Sequence, residues 1–308
     1  MIELGQLEKK MPLLFEKKAK KGIVDCFMFR DEWDLLKLRI RILKKHVDSF
    51  LIVEALNDHL TGAVREKFLN ESRVKELEED FPGIVIEVYQ PNLEGKDAWQ
   101  RENEHRNKIF DRLEVNKSLE DDDVILISDC DEIPNPEIIP NILGSSGFVF
   151  LNQMYFVYFL DSFSKKCVTG TICVSWATLK SLDEIHAGNG CQALRNNKDY
   201  GPEVDNGGWH YSYLGGVNQL VKKATTIAEG KTSYDKQFFK DQMNEFFKTG
   251  NCPYSDKPCE FLNHSFQNKE IFYYNLRFSG KDEFFKEWTI FPNEIFNNIS
   301  NYSYLMTP

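Results

Sequence analysis

Asp-Val-Ile-Leu-Ile-Ser-Asp-Cys-Asp-Glu-Ile-Pro-Asn, residues 123–135, decides the reading of this chain. The aliphatic run 124–127 is too short for a helix and suits a strand buried on both faces, stopped by Pro134 and Pro136. Side chains in a strand repeat every two residues, so Asp129 and Asp131 are expected on one side of its end. Two carboxylates about 5 Å apart in an effective dielectric of ~20 repel by roughly 3 kcal/mol, which favours protonation or a bound cation. Hard oxygen ligands of this kind suit Mn²⁺ or Mg²⁺. A solvated turn is the competing reading of an Asp-x-Asp alone. The strand end tips the balance, because ligands of open α/β sheets bind outside the carboxyl ends of strands.

Outward from this segment, strands are expected at 22–29, 49–54 and 84–88, and helices at 31–45, 66–80 and 98–113. That alternation predicts an α/β fold with a mostly parallel central sheet and helices on both faces. Beyond Pro140 the aromatic, β-rich segments 148–159 and 169–176 read as antiparallel additions near the cleft, with helices at 217–227 and 234–248. We expect one domain over 1–308, with a nucleotide-binding half (22–135), an acceptor- and metal-completing half (136–250) and a C-terminal extension (251–308).

With 308 residues, 42% of them hydrophobic, the chain can bury a large core. A net charge of −10 argues against duplex nucleic-acid binding, which needs a basic face that does not stand out in this sequence, so an anionic nucleotide has to be met locally. Seven cysteines without metal spacing read as reduced thiols. The apolar run 11–15 is far shorter than a signal peptide core or a membrane span, so a soluble, cytoplasmic protein without a transmembrane segment is expected.

On the helix 98–113, Trp99, Glu102 and Arg106 fall at i, i+3 and i+7, one face mixing indole, carboxylate and guanidinium. Arg106 suits a diphosphate because its guanidinium presents a fork of donors, and Arg195 is a further phosphate or acceptor contact. A purely internal Glu102–Arg106 pair is the competing reading. The stretch 207–216 brackets aromatic residues with glycines, offering His210 as a third metal ligand and Trp209, Tyr211 and Tyr213 as walls for a sugar.

Five segments, Phe-Met-Phe-Arg-Asp-Glu-Trp-Asp-Leu-Leu-Lys-Leu-Arg (27–39), Val-Asp-Ser-Phe-Leu-Ile-Val-Glu (47–54), Trp-Gln-Arg-Glu-Asn-Glu-His-Arg-Asn (99–107), Ile-Ser-Asp-Cys-Asp-Glu-Ile-Pro (127–134) and Gly-Trp-His-Tyr-Ser-Tyr-Leu-Gly-Gly (208–216), together resemble glycosyltransferase family 17. That family contains the β-1,4-mannosyl-glycoprotein 4-β-N-acetylglucosaminyltransferases. The resemblance implies a glycosyltransferase-A fold, a UDP-sugar donor, a glycan acceptor and a divalent metal on Asp129 and Asp131. The family's Gly-Trp-His falls on Gly208, Trp209 and His210.

The expected chemistry is metal-assisted glycosyl transfer with inversion, most readily of N-acetylglucosamine. Asp205, Glu184 and Glu229 are candidates for the base that takes the acceptor proton. By the logic of strand ends, Asp25, Arg30 and Glu54 are candidates for the nucleoside, joined by Trp99, Arg106, Asn107 and Trp209 from the family-like segments. A sugar nucleotidyltransferase would carry a glycine-rich, basic loop after the first strand, where this chain has Phe-Met-Phe-Arg-Asp-Glu. A non-catalytic carbohydrate-binding protein would explain the aromatics but not the paired aspartates.

Overall fold

The computed structural model describes residues 22–91, 94–116, 118–142, 147–197, 201–251, 258–261 and 291–306. The first half follows the expected alternation: β1 (Ile23–Phe29), α1 (Trp33–Leu43), β2 (Ser49–Ala55), α2 (Glu71–Asp80), β3 (Ile84–Tyr89), α3 (Ala98–Glu114) and β4 (Val124–Asp129). These strands lie parallel in the order β3-β2-β1-β4, and Met28 at the end of β1 registers with Asp129 at the end of β4. Every residue of β2 is buried, as a strand covered on both faces requires.

The second half comprises β5 (Glu132–Pro134), β6 (Phe148–Val157), β7 (Ser162–Ser175), α4 (Trp176–Ile185), α5 (Gly190–Asn196), β8 (Glu203–Ser212), α6 (Gly216–Ala224) and α7 (Lys236–Thr249). The sheet continues β4-β7-β6-β8-β5, with β7 antiparallel to β4 and to β6, β8 parallel to β6, and β5 antiparallel to β8. A short strand, β9 (Glu260–Phe261), pairs with the start of β7. The sheet is therefore mixed, parallel from β1 to β4 and largely antiparallel beyond them. This is the α/β, glycosyltransferase-A type of architecture.

Only Cys130 and Asp131 separate β4 from β5, although three strands lie between them in sheet order. Three peptide units span no more than about 11 Å, so the sheet curls until β8 returns over the end of β4. Close passage of β5 and β8 requires glycine: Gly208 has φ +132°, and a Cβ there would lie 2.1 Å from the Ile133 carbonyl oxygen.

Helices cover both faces. Leu35, Leu36 and Leu43 of α1 share one core with Leu77 of α2, and Ile109, Phe110 and Leu113 of α3 share the other with Leu179 of α4 and Leu194 of α5. A third apolar cluster joins α6 and α7 to the end of β6 through Val157, Leu220, Phe239 and Phe246. The chain end returns to the first core, where Phe291, Ile295 and Leu305 are buried.

Local expectations differ from the structure in three places. The helix expected from residue 66 starts at Glu71, capped by the Asn70 side chain, because Phe68 and Leu69 donate their backbone N–H groups to the Glu54 carboxylate instead. Residues 162–168, which fall between the two β-rich segments expected, belong to β7. Helices α4 and α5 were not expected; Ser175 caps the first of them through the Thr178 N–H. The six described cysteines are free, and Cys252 lies outside the described residues. No described helix is long and apolar enough to cross a membrane.

Candidate active site

A cleft of about 840 Å³ opens at the carboxyl end of β1 and β4. Residues from α3, α5, β7, β8 and α6 complete its walls. Asp129 ends β4, and Asp131 lies in the turn that follows.

This turn is anchored from below by Arg39 of α1, which is fully buried. Its guanidinium meets the Asp25 carboxylate twice, at 2.7 and 2.6 Å, and the Ser128 hydroxyl at 2.6 Å. A third nitrogen donates to the carbonyls of Asp129 at 3.1 Å and Glu132 at 2.8 Å, the two ends of the turn. Arg39 also stacks on Phe27. The sequence places Asp25 at the nucleoside; this is corrected, since Asp25 is fully buried and spends both oxygens on Arg39.

Above this base, the two aspartates meet cations of the chain itself. Asp129 accepts from Arg106 at 3.0 Å and lies 3.5 Å from Arg195, while Asp131 accepts from Lys223 at 2.5 Å. Burial opposes ionisation of Asp129, but Arg106 and Arg195 outweigh it and hold its carboxyl at about 2. Asp131 is likewise driven well below the usual carboxylate range, with Lys223 and then His210 outweighing burial. Both are ionised at neutral pH, so the expected repulsion is relieved by guanidinium and ammonium groups. Glu132 orients the cluster, accepting from Arg195 at 2.6 and 3.1 Å and from the Asp129 N–H at 3.0 Å.

A divalent cation finds suitable donor types here. His210 Nε2 lies 3.7 Å from the Asp131 carboxylate, beyond hydrogen-bond range, and its buried Nδ1 has no hydrogen-bond partner. Two carboxylates and this imidazole fit Mn²⁺ or Mg²⁺ chemically. Among the described residues no group of three His, Cys, Asp or Glu side chains is arranged to hold a metal ion by itself.

The α3 face emerges as expected. A capping box, in which Asp97 accepts from the Gln100 N–H and Gln100 from the Asp97 N–H, starts the helix, and Trp99, Glu102 and Arg106 all line the cleft. Trp99 keeps half of its surface exposed (53%), leaving an indole face open. Arg30 lines the cleft too, tied to Thr226.

Other expected residues lie elsewhere. Glu54 is fully buried and holds the backbone of Phe68 and Leu69, as described above. Asn107 faces α5, donating to Asn189 at 2.9 Å and accepting from the Gln192 N–H at 3.0 Å. Trp209 and Tyr211 point into the core and are almost fully buried, because strand alternation in β8 gives the opposite face to His210 and Ser212. Tyr213 does line the cleft, at a positive φ of 56° that breaks the alternation. Among the candidate bases, Glu229 lines the cleft; Glu184 is exposed on α4, and Asp205 lies on β8 beside Asn152, both away from it.

Lys223, Glu132 and Arg39 were not singled out by sequence. For Lys223 a signal exists, the Lys222–Lys223 pair in the last turn of α6, but it reads equally as a complement to the helix dipole.

The family model described as glycosyltransferase family 17 matches residues 13–226. No curated protein matches the chain significantly. Among solved structures, the chain is similar to 4-diphosphocytidyl-2C-methyl-D-erythritol synthase, at 10% identity and a TM-score of 0.35, over 72% of this chain and 97% of that one. It is similar to the inositol-1-phosphate CTP transferase from T. maritima at 12% identity and a TM-score of 0.34, over 62% and 87%. A third is glucosyl-3-phosphoglycerate synthase from Mycobacterium tuberculosis in complex with Mn²⁺, UDP-glucose and phosphoglyceric acid, at 14% identity and a TM-score of 0.34, over 64% and 73%.

Proposed function

This chain belongs to glycosyltransferase family 17, and from that premise we propose that it moves N-acetylglucosamine from a UDP-sugar to a glycan hydroxyl, with inversion at the anomeric carbon. The observation that carries the reading is the turn holding Asp129 and Asp131. It presents two ionised carboxylates at the carboxyl end of parallel strands, with Arg106, Arg195 and Lys223 around them in one cleft. That is where open sheets of this kind receive nucleotides, and guanidinium forks with an ammonium are the groups that meet phosphate oxygens.

Asp129, Asp131 and His210 would hold Mn²⁺ or Mg²⁺, whose chemistry is to neutralise charge on the departing diphosphate. Lys223 and Arg106 carry a share of the same charge when they exchange carboxylate partners for phosphate oxygens. Trp99 offers its open indole face to the base. Arg39 and Asp25 keep the turn from shifting as its partners change. Glu229 is the base that takes the acceptor proton, since of the three candidate bases it is the one that lines the cleft.

The test is turnover across UDP-sugars with and without added Mn²⁺ or Mg²⁺. Asp131→Asn keeps an acceptor for Lys223 and removes the charge. We expect its turnover to fall about a hundredfold or more, with an unchanged circular dichroism spectrum. A folded variant that turns over near the parent's rate refutes the role given to Asp131.

A further inference from the structure

His59 and His105 lie on the α3 side of the cleft and are both buried. Nε2 of His105 is 2.8 Å from the Val53 carbonyl oxygen, which can only accept, so this nitrogen carries the hydrogen. Its Nδ1 is 3.1 Å from Nε2 of His59. Burial lowers both imidazoles, His105 to about 4 and His59 well below its ordinary value, so both are neutral at neutral pH. A neutral His105 then has a bare Nδ1 that accepts, and His59 Nε2 must be the donor. His59 Nδ1 is left bare. The hydrogen-bond network thus assigns both tautomers.

The bare nitrogen sits on a fixed loop. Arg101 donates to the carbonyls of His59 at 2.6 Å and Leu60 at 2.8 Å, and the Leu60 N–H donates to the Thr226 carbonyl at 3.0 Å. Facing His59 Nδ1 at 3.9 Å is Oε2 of Glu102, whose other oxygen accepts from Arg106 at 3.2 Å. Burial raises the Glu102 carboxyl above its ordinary value, and the Arg106 guanidinium beside it opposes that rise and favours the carboxylate. Two acceptors therefore face one another, both on the cleft, and neither can donate to the other. A site built this way rewards a ligand N–H or O–H and rejects a ligand that brings a third acceptor, because buried polar groups would then stay unpaired.

We propose that His59 Nδ1 and Glu102 Oε2 form an acceptor notch that reads a hydrogen-bond donor of the nucleoside, and so make His59 a specificity-determining residue. The inference rests on the nucleotide-sugar reading of the cleft. The donor is either the imide N–H of a uracil or a ribose hydroxyl, and two nucleotides separate them. CDP replaces the imide N–H by an acceptor; 2′-deoxy-UDP removes a hydroxyl.

Calorimetry on the full chain with Mn²⁺ compares UDP, CDP and 2′-deoxy-UDP for the parent and for His59→Phe, which keeps a ring and loses the acceptor. UDP affinity should fall about tenfold in the variant, equivalent to ~1.4 kcal/mol. The nucleotide lacking the donor that is read should bind the parent about tenfold more weakly than UDP and lose little further in the variant. A second readout needs no variant: nitrogen-15 spectra of the histidine-labelled parent should show His59 Nδ1 unprotonated and shifting when UDP is added. A Nδ1 resonance that UDP leaves unmoved, or a His59→Phe variant that binds all three nucleotides like the parent, overturns the notch while the nucleotide reading stands. Failure of the parent to bind UDP at all overturns both.

Discussion

At the scale of residues, Arg39 shows how a buried charge serves the site without touching it. Arg39 and Asp25 are both fully buried and satisfy one another, with Ser128 and two carbonyls completing the guanidinium. Arg39→Met should cost about 3–5 kcal/mol, since it strands the Asp25 carboxylate, and Asp25→Leu with Arg39→Met should recover much of that. Urea unfolding of both variants checks this; a single variant as stable as the parent would show that the pair anchors nothing. The histidine pair predicts an acid response. His105 titrates at about 4 when folded against an ordinary 6.5, so below about 6.5 the unfolded chain takes up a proton that the folded chain refuses. The His105 contribution should fall as pH drops through that window and be fully lost below about 4. The slope should be shallower in His105→Phe; an unchanged slope would exclude a buried neutral imidazole at this position. Asp129, held at about 2 rather than 3.8, acts at lower pH: its contribution is complete above about 4 and is lost as pH falls toward 2.

At the scale of elements, strand β8 and helix α2 show two ways in which a local pattern is resolved. Trp209, His210, Tyr211 and Ser212 alternate between core and cleft, so the aromatic richness of this stretch feeds the core while His210 reaches the aspartates. The reading of Trp209 as a sugar wall failed because composition alone does not say which face of a strand is inward. Gly208 is where β8 meets β5, and Gly208→Ala should destabilise by about 2 kcal/mol or more, since it combines a positive φ with a clash against a backbone oxygen. A melting temperature equal to the parent's would mean the strands can separate there at no cost. In α2 the helical pattern extends to residue 66, yet the Glu54 carboxylate captures the backbone of Phe68 and Leu69 and delays the helix to Glu71. Asn70→Ala, which removes the cap, should cost about 1 kcal/mol in thermal or urea unfolding.

At the scale of the molecule, the curl of the sheet makes the site. A flat sheet in the order β4-β7-β6-β8 would leave His210 three strands away from Asp129. Curling sets Glu132 opposite His210 and lets Lys223, at the end of the next helix, reach Asp131. The segment 291–306 closes the core beneath: Phe291 is fully buried against Phe156 and does not line the cleft, and Phe291→Ala should cost about 3–5 kcal/mol in urea unfolding. Near-parent stability of that variant would show the 291–306 segment to be an appendage.

The β-α-β alternation, the acidic tip after β4 and the mixed face of α3 were legible in the amino-acid order, because each rests on a periodicity or a stop signal within a few residues. Which charge pairs with which was not. Lys223 lies 92 positions from Asp131, and Arg195 lies 63 from Glu132. Such partners are chosen by strand order and sheet curvature, and local sequence carries no record of either. Asp25, inside β1, became a foundation sealed under Arg39, while Asp131, in the turn after β4, became a wall of the cleft. Both are buried, so what separated them is their place against the cleft, which Asp131 lines and Asp25 does not, and that place is set by the tertiary structure.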